Sequence, residues 1–290
     1  MRNDKLENLI TIVVPCYNQG HFLDEALQSV EKQSYKNLEC IIVNDGSEDD
    51  TEIVANIWVQ KDNRFKYISK ENGGLSSARN LGISKSQGNF ILPLDSDDIL
   101  HESLLELLLP VLLHNSKIGI VSCYAKYFRK NIHDVFYKLE PVGNTYNDIM
   151  FENRMMATSL YRKQCWEEAG GYDENMTNGF EDWEFWVNVT KRGWTFEFVK
   201  KHLFFYRKSK DSMLTNTLKH HVEDNMEYIY KKHKTIYIKH FDETIFYFMF
   251  LIRRYKSSEI KLKNSLEYKL GKVLLKPWNI LTKLVGEKFI

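Results

Sequence analysis

Three aspartates lie in the run Asp95-Ser96-Asp97-Asp98, directly after an apolar stretch at residues 90–94. Carboxylate oxygens are hard ligands, and sites for Mg²⁺ or Mn²⁺ commonly combine one or two of them with substrate phosphates. Asp98 precedes a predicted helix that starts near residue 100, so we interpret it as the N-cap of that helix. The remaining Asp-x-Asp predicts a site for a divalent metal and a diphosphate.

Acids alternate with aromatic residues in a second run, Glu181-Asp182-Trp183-Glu184-Phe185-Trp186. On a helix, Asp182 and Trp186 share a face, and Glu181 neighbours Glu184. Acids in the first turn of a helix usually complement its dipole, which is the interpretation we give to Glu184. A carboxylate flanked by Trp183 and Trp186 suits proton abstraction beside the apolar face of a sugar.

Two further polar turns follow apolar stretches. Asp45, in Asn44-Asp45-Gly46-Ser47, can accept hydrogen bonds from a base or ribose, although an ordinary Asx turn is the alternative. The run at residues 71–80 opens a helix with glycines and serines, whose free N–H groups can meet an anion, with Arg79 in reach of a diphosphate. A plain turn with a surface arginine is the alternative there. Neither the P-loop nor the dinucleotide glycine pattern occurs, which argues against those families.

The elements that would position these turns follow from hydrophobic periodicity. Apolar stretches of strand length alternate with helical patterns, the strands at residues 10–14, 40–43, 65–68 and 90–94 and the helices at 22–32, 51–60 and 76–86. This alternation predicts an α/β fold with a doubly wound parallel sheet covered on both faces. Ligands of such sheets bind beyond the carboxyl ends of the strands, so the polar turns should converge on one edge.

Beyond Asp98 the alternation ends. We expect a helix over residues 101–113, strands over 118–128, 133–140 and 157–161, and a helix starting near Glu181. These elements form an α+β half on the same sheet. Long helical patterns begin at Leu218, which predicts a helical C-terminal region, and the boundary before it falls between residues 210 and 217.

Composition excludes several classes of protein. The 290 residues carry 40 Lys and Arg against 39 Asp and Glu, a net charge of +1, which argues against a nucleic-acid coat. The four cysteines form no C-x-x-C pair, so buried reduced thiols are expected. The N-terminus lacks the apolar core of a signal peptide, and no apolar stretch approaches the ~20 residues of a membrane span. We therefore expect a cytoplasmic protein.

The charge is unevenly distributed along the chain. Residues 253–290 contain 10 Lys and Arg against 3 Asp and Glu, interleaved with apolar residues. A basic amphipathic helix can lie in a membrane interface and is attracted to anionic lipid. A helix that packs its apolar side on the catalytic domain, with lysines in solvent, is the equal alternative.

Taken together and in order, these motifs resemble the family 2 glycosyltransferases of the GT-A fold, a nucleotide-diphospho-sugar transferase fold with a Rossmann-like mixed sheet. The resemblance covers residues 9–207 and rests on the following runs: Val13-Val14-Pro15-x-Tyr17-Asn18, Asn44-Asp45-Gly46-Ser47, Asn72-Gly73-Gly74-Leu75-Ser76-x-Ala78-Arg79-Asn80, Leu94-Asp95-Ser96-Asp97-Asp98, Gly170-Gly171-Tyr172-Asp173 and Glu181-Asp182. It implies a catalytic domain over residues 1–210, with a nucleotide-binding half at 1–98 and an acceptor half at 99–210, followed by a helical C-terminal region at 211–290.

The resemblance implies an inverting, metal-dependent hexosyltransferase. Asp182 would be the base that deprotonates the acceptor hydroxyl, with Glu181 as its support, and Asp97 would coordinate Mn²⁺ or Mg²⁺ at the diphosphate. An ordinary carboxyl pKa of about 4 would already leave such a base ionised at neutral pH. The implied donor-binding residues are Pro15, Tyr17, Asn18, Asp45, Asn72, Gly73, Arg79, Asp95 and Ser96. Those implied for the acceptor side or its support are Trp183, Trp186 and Gly171.

One departure from the family pattern concerns the metal. Many relatives carry a His after the last core strand, where this chain has Lys208 and Lys210, so a third protein ligand is not expected and the lysines could approach the diphosphate.

The expected partners are a UDP-sugar and a glycan acceptor. By analogy with family members that assemble O-antigen, capsule or related polysaccharides, the acceptor is a lipid-linked glycan, met by peripheral contact with the inner membrane. Nucleic acid is not expected, and a homodimer stays open. A nucleotidyltransferase or a non-catalytic sugar- or lipid-binding scaffold of the same fold are the alternatives, although the Glu181-Asp182-Trp183 helix is poorly explained by the first. The presence of both Asp97 and Asp182 argues against the second.

Overall fold

The computed structural model describes residues 7–209 and 212–275. Its strands are β1 (Ile10–Cys16), β2 (Leu38–Asn44), β3 (Phe65–Ser69), β4 (Phe90–Pro93), β5 (Ile99–Leu100), β6 (Ile118–Phe128), β7 (Val135–Leu139), β8 (Leu160–Arg162) and β9 (Thr195–Arg207). Its helices are α1 (Gly20–Glu31), α2 (Thr51–Lys61), α3 (Leu75–Ser84), α4 (Leu104–His114), α5 (Tyr146–Ile149), α6 (Lys163–Ala169), α7 (Glu181–Thr190), α8 (Met213–His220), α9 (Val222–Lys232), α10 (Lys234–Lys239) and α11 (Phe241–Asn264).

All described strands join one mixed sheet with the order β3-β2-β1-β4-β8-β6-β9-β5, and β7 pairs with β6. The first half is parallel, since β1 pairs with β2 and β4, and β2 pairs with β3, all in the same direction. β8 then runs antiparallel between β4 and β6. The expected α/β fold with a parallel first half is confirmed, and the second half makes the sheet mixed.

Both faces of the sheet are covered. Alternate residues of β1 enter different cores: Ile12 and Val14 pack with α1, α2 and α4, whereas Val13 packs with α3, α6 and α7. Because each face has its own layer of helices, β1 is buried along its whole length. Polar turns therefore begin only where a strand ends and the chain leaves the sheet.

The second half places its elements close to the predicted ranges. β6 has the predicted bounds of 118–128, β7 lies within 133–140, and α7 begins at Glu181. The strand expected over residues 157–161 is shorter and ends later, at Leu160–Arg162. The helix expected from residue 101 begins at Leu104, because Ile99 and Leu100 pair with β9 before the chain can turn.

By its contacts the chain divides into one unit that ends at His233 and a second that starts at Lys234. Helices α8 and α9, which lie beyond the boundary expected near residue 210, belong to the first unit. The described part of the second unit consists of α10, α11 and a helix over residues 266–275. Among the described residues, none of the helices has the length and hydropathy that crossing a bilayer requires.

Candidate active site

The acidic turn lies where strand β4 ends, as predicted. Asp95 keeps 30% of its side chain exposed, and Ser96 is buried and donates its hydroxyl to Gln19 Oε1 at 2.7 Å. Burial, together with the neighbouring charge of Asp95, raises the pKa of Asp97 to about 6. The two carboxylates therefore repel each other, and a cation between them would relieve that repulsion.

Asp98 does not cap a helix, so that prediction is wrong. The side chain is fully buried, and its Oδ1 accepts a hydrogen bond at 2.7 Å from the backbone N–H of Arg207, at the end of β9. Arg207 also donates from Nε to the carbonyl of Asp97 at 2.7 Å. The acidic turn is thus tied to the last strand of the sheet, and α4 begins later with Ser103 at its N-cap.

A buried arginine connects the acidic turn with the helix that carries the predicted base. The Arg79 guanidinium donates to Asp95 Oδ1 and to Glu181 Oε1, each at 2.7 Å, and is 1% exposed. The sequence suggested direct contact between Arg79 and a diphosphate. In the structure the guanidinium is enclosed and paired with two carboxylates, so direct contact with a diphosphate is not what the geometry shows. Glu181, expected to support the base, bonds Arg79 and lies next to Asp182 in the chain.

Asp182 keeps part of its surface accessible at the start of α7. Its Oδ2 accepts a hydrogen bond from Asn153 Nδ2 at 3.0 Å. Burial, and after it the charge of Glu181, raises the pKa of Asp182 to about 7, against the lowering effects of Arg79 and Asn153. An ordinary carboxyl pKa of about 4 would suffice for a base, but the enclosed helix start penalises the charged form and raises the pKa of Asp182. A carboxylate with this pKa is a stronger base at neutral pH.

Asp45 lies at the end of β2 and organises the glycine loop before α3. Its Oδ1 accepts hydrogen bonds from Lys70 Nζ at 2.7 Å and from the backbone N–H of Gly73 at 3.0 Å, while its Oδ2 accepts from Gly74 N at 2.8 Å. Asn72 is exposed beside this loop. The sequence placed Asp45, Asn72 and Gly73 on one nucleotide site, and the structure brings them together.

The loop after β1 approaches the same region. Pro15 is a buried residue of β1 and packs within the sheet, whereas the side chain of Tyr17 is exposed. Asn18 has a left-handed φ of 53°, accepts from Glu48 N through its side chain and donates its backbone N–H to Ser47 Oγ, both at 2.9 Å. The first and second turns of the sheet are thereby joined.

The two tryptophans of α7 support the site by packing. Trp186 is fully buried in the core, and Trp183 is nearly so, with its indole N–H donating to the carbonyl of Ile149 at 2.6 Å. The sequence allowed them either acceptor contact or support. Their burial leaves no ring face for a sugar, so contact with the acceptor is the wrong interpretation.

Gly171 also has a positioning role. Its φ is 87°, and a Cβ there would lie 2.9 Å from Asn80 Oδ1, which accepts the backbone N–H of Tyr172 at 2.8 Å. Tyr172 in turn stacks on Phe185 of α7 with ring centroids 4.2 Å apart. The glycine turn therefore fastens α3 to α7.

Helices α8 and α9 fix the turn that precedes α7. Asn225 Nδ2 donates to the carbonyls of Asn178 at 3.0 Å and Gly179 at 3.1 Å, and Thr217 Oγ1 donates to Asn178 at 2.7 Å. The turn needs this support because Gly179 and Phe180 both adopt positive φ, at 88° and 63°.

A buried ion-pair cluster fastens the next turn of α7. Glu184 is fully buried, and its Oε1 lies 2.7 Å from His233 Nε2 and 2.8 Å from Lys232 Nζ. Lys232 also pairs with Asp173 at 2.6 Å. The expectation that Glu184 only complements the helix dipole is therefore incomplete, because this carboxylate is the attachment point of α9.

The acidic turn has few protein donors for a divalent metal. Within residues 7–209 and 212–275, no three His, Cys, Asp or Glu side chains form a cluster that could hold a metal ion by themselves. Asp95 and Asp97 nevertheless supply two hard oxygen donors at a strand end, which suffices for Mg²⁺ or Mn²⁺ when diphosphate oxygens complete the shell. Lys208 donates to Thr215 Oγ1 at 3.1 Å, and Lys210 lies outside the described residues.

Comparison with known proteins decides the family. Residues 11–181, more than half of the chain, match Glycosyl transferase family 2. The chain belongs to this family. Among curated proteins, this family 2 glycosyltransferase is 31% identical to the Streptococcus pneumoniae glycosyltransferase GlyA over 55% of this chain and 22% of GlyA. It is 26% identical to Bacillus subtilis EpsJ, an uncharacterized glycosyltransferase, over 77% of this chain and 68% of EpsJ.

Solved structures show the same fold. S. aureus TarS 1–349 in complex with UDP-GlcNAc superposes with a TM-score of 0.61 at 19% identity, covering 71% of this chain and 60% of TarS. The mannosyltransferase PcManGT from Pyrobaculum calidifontis, in complex with GDP-Man and Mn²⁺, gives 0.56 at 18% identity, with 70% and 58% covered. The GT-A fold is thus confirmed. The chain spans less than half the length of GlyA and of a second S. pneumoniae relative, GlyG, of which it covers 44%.

Several residues of the site were not found from the sequence. Asn153 lies in a stretch without periodicity, and nothing in its neighbours indicates contact with Asp182. Lys70 precedes the glycine loop and could have been recognised as a cation close to Asp45. Arg207 ends the last strand without a motif of its own, although its side chain bonds the Asp97 carbonyl and holds the acidic turn.

Proposed function

We propose that this family 2 glycosyltransferase transfers a sugar from a UDP-sugar to a hydroxyl of a glycan, with inversion at the anomeric carbon. The observation that carries the proposal is the continuous bridge Asp95–Arg79–Glu181, with 2.7 Å at each contact. It joins the acidic turn to the helix that begins with Asp182. Direct displacement requires a base and a leaving-group site held at fixed positions on opposite sides of one carbon, and a buried ion pair supplies that rigidity.

Asp182 acts as the base in this proposal. Its raised pKa of about 7 makes it a better proton acceptor than an ordinary carboxylate, and it is still half ionised at neutral pH. Asn153 donates to Asp182 Oδ2 at 3.0 Å and the backbone N–H of Trp183 donates to Oδ1 at 2.7 Å, so both contacts fix the carboxylate, and each oxygen keeps a lone pair for the acceptor hydroxyl. As that hydroxyl oxygen attacks the anomeric carbon, its proton passes to Asp182, and the bond to the UDP oxygen breaks.

The nucleotide side is proposed to bind UDP through the turns after β1, β2 and β3. Asp45 Oδ2, which accepts from Gly74 N at 2.8 Å, keeps a lone pair for the nucleobase, and the exposed ring of Tyr17 can cover the nucleobase. Asp95, whose side chain is 30% exposed, is proposed to bind the ribose or the donor sugar, and buried Ser96 supports the turn through its hydrogen bond to Gln19. Support comes from TarS, a neighbour in fold whose structures contain UDP and UDP-GlcNAc.

A divalent cation, Mn²⁺ or Mg²⁺, is proposed at Asp97. When bound, it would neutralise the charge that develops on the diphosphate as the sugar leaves. The PcManGT complex, which contains Mn²⁺, supports this assignment as a structural neighbour.

The acceptor is proposed to be a lipid-linked glycan at the cytoplasmic face of the inner membrane. Helix α11 supports this, because apolar side chains such as Phe246, 71% exposed, and Phe250 lie in the same helix as Arg253 and Arg254. Apolar side chains beside cations suit the interface of an anionic bilayer.

Membrane contact is tested by sedimentation with lipid vesicles. The protein should sediment with phosphatidylglycerol vesicles, and much less of it should sediment with phosphatidylcholine vesicles. Equal recovery in both supernatants would contradict membrane contact.

The enzymatic proposal is tested by UDP release from a panel of UDP-sugars with Mn²⁺ and a polyprenyl diphosphate sugar as acceptor. At least one donor should give UDP that depends on the acceptor, and Asp182→Asn should abolish this transfer while still binding UDP. Release of pyrophosphate from nucleoside triphosphates would instead indicate a nucleotidyltransferase. Binding of UDP without any turnover across the panel would indicate a scaffold.

A further inference from the structure

Three tyrosines form a row across adjacent strands at the acceptor side of the sheet. Tyr137 of β7 pairs in register with Tyr127 of β6, and Tyr127 pairs with Tyr206 of β9. Register partners on neighbouring strands point to the same face. Their rings are in contact, with centroids 5.3 Å apart for Tyr137 and Tyr127 and 4.7 Å apart for Tyr127 and Tyr206. We call these residues the tyrosine row.

The inner end of the tyrosine row lies at the acidic turn. Tyr206 precedes Arg207, whose backbone N–H and side chain bond Asp98 and the Asp97 carbonyl, each at 2.7 Å. Burial raises the pKa of the Tyr206 phenol, and the charges of Asp98, Asp95 and Asp97 raise it further. The ring therefore lies close to the carboxylates where the donor diphosphate is expected.

The middle of the row lies close to the proposed base. The Tyr127 hydroxyl donates to Met156 Sδ at 3.9 Å, and Asn153, three residues earlier in the same segment, bonds Asp182 at 3.0 Å. Burial raises the pKa of Tyr127 to about 12, with added contributions from Asp98 and Asp182. One short segment thus connects the row to Asp182.

The outer end of the row is open to solvent. Tyr137 is 52% exposed and Phe136, which also contacts Tyr127 with centroids 6.4 Å apart, is 42% exposed. Arg129 lies over the Phe136 ring at 4.0 Å. The register between β6 and β7 is irregular at Tyr127/Phe128, and the rings of both Phe136 and Tyr137 contact Tyr127 there. Large aromatic side chains gain free energy from burial, so two exposed ones beside a reaction centre indicate a ligand surface.

We propose that the tyrosine row is the acceptor platform of this enzyme, with Tyr137 stacking on the pyranose next to the one that receives the new sugar. The assignment rests on the proposed function. A pyranose presents an apolar C–H face edged by hydroxyls, and that face packs on the electron-rich face of an aromatic ring. Arg129 can meet the hydroxyls at the rim. A glycan that lies along the row would end between Asp182 and the acidic turn, where its terminal hydroxyl has to react.

Binding is tested by saturation-transfer NMR on the full chain with UDP present, using methyl β-D-glucopyranoside, methyl β-D-galactopyranoside and methyl N-acetyl-β-D-glucosaminide as probes. Irradiation of aromatic protons should transfer magnetisation to the C–H protons of at least one glycoside. Tyr137→Ala should lose most of this transfer, whereas Tyr137→Phe, which keeps the ring, should retain it. Lys138→Ala is the matched control, because its exposed side chain lies on the same strand but on the opposite face.

Kinetics distinguish this inference from the proposed function. With the acceptor identified by UDP release, Tyr137→Ala should raise the KM for the acceptor about tenfold, the typical effect of truncating an aromatic side chain in a binding site. The KM for the donor should not rise with it, and Lys138→Ala should leave both KM values and the acceptor-independent UDP release unchanged. A wild-type enzyme that transfers sugar while Tyr137→Ala retains both KM and saturation transfer would overturn the platform alone. Absence of any UDP release by the wild type would overturn the proposed function.

Discussion

The rate of sugar transfer should rise with pH through a midpoint near 7, because Asp182 must lose a proton before it can accept one. With its pKa at about 7, roughly a tenth of the Asp182 carboxyl is ionised at pH 6 and roughly nine tenths at pH 8. The sign follows from the base being active in its charged form. A carboxylate with an ordinary pKa of 3.8 would give a flat profile above pH 5.5.

Two variants should move this midpoint in opposite directions. Asn153→Ala removes a donor that stabilises the ionised carboxylate, so the midpoint should move to higher pH. We expect a shift of about one pH unit, since a hydrogen bond to a charged group contributes about 1.5 kcal/mol and one pKa unit corresponds to about 1.4 kcal/mol. Glu181→Gln removes the neighbouring negative charge, so the midpoint should move to lower pH.

The assay is kcat/KM for the acceptor between pH 5.5 and 9, followed by UDP release at saturating donor and Mn²⁺. Saturation keeps the acidic turn in one ionisation state, so the profile reports the base. Lys138→Ala, on an exposed strand position, is the control and should leave the midpoint unchanged. A flat wild-type profile, or a shift of both variants in the same direction, would refute the assignment of Asp182 and the electrostatic account of its pKa.

Three further results are expected. Asp97→Asn should lower UDP release at least a hundredfold while circular dichroism stays unchanged, and full activity of wild type in excess EDTA would contradict the metal assignment. Gly171→Ala should destabilise the fold by about 1–3 kcal/mol in urea, because a left-handed φ is strained with a side chain and the new Cβ would meet Asn80. Lys232→Met should lower the free energy of unfolding by about 3 kcal/mol, since fully buried Glu184 loses a partner; an unchanged urea midpoint would show that His233 alone suffices.

The nucleotide-side half could be predicted from the sequence because its signals are local. Strands β1 to β4 are short, mainly apolar runs, and each is followed by its own polar turn. The residue types over a few positions therefore predict both the strand and the candidate site residues that follow it. The convergence of Asp45 with Gly73 followed from strand direction alone. The predicted bounds differ from the observed ones by only a few residues.

The features that were missed depend on partners far along the chain. Asp98 bonds Arg207, 109 residues later, and no local pattern distinguishes this arrangement from a helix cap. Arg79 bonds Glu181 across 102 residues, so the sequence showed an available cation where the structure has an enclosed one. The pKa of Asp182 depends on how deeply α7 is enclosed, which only the packed structure determines.

The late contacts of α7 set an order for folding as the chain is made. Strands β1 to β4 have all their parallel partners once residue 93 has been synthesised, and domains generally begin to fold from the N-terminal side during synthesis. The hydrogen bonds that fix the turn before Asp182 can form only after Thr217 and Asn225 have been synthesised. The ion pairs of Glu184 can form only after Lys232 and His233 have been synthesised. A nascent chain that ends before these residues would carry a formed parallel half and an unfixed α7, so the proposed base Asp182 takes its final position last.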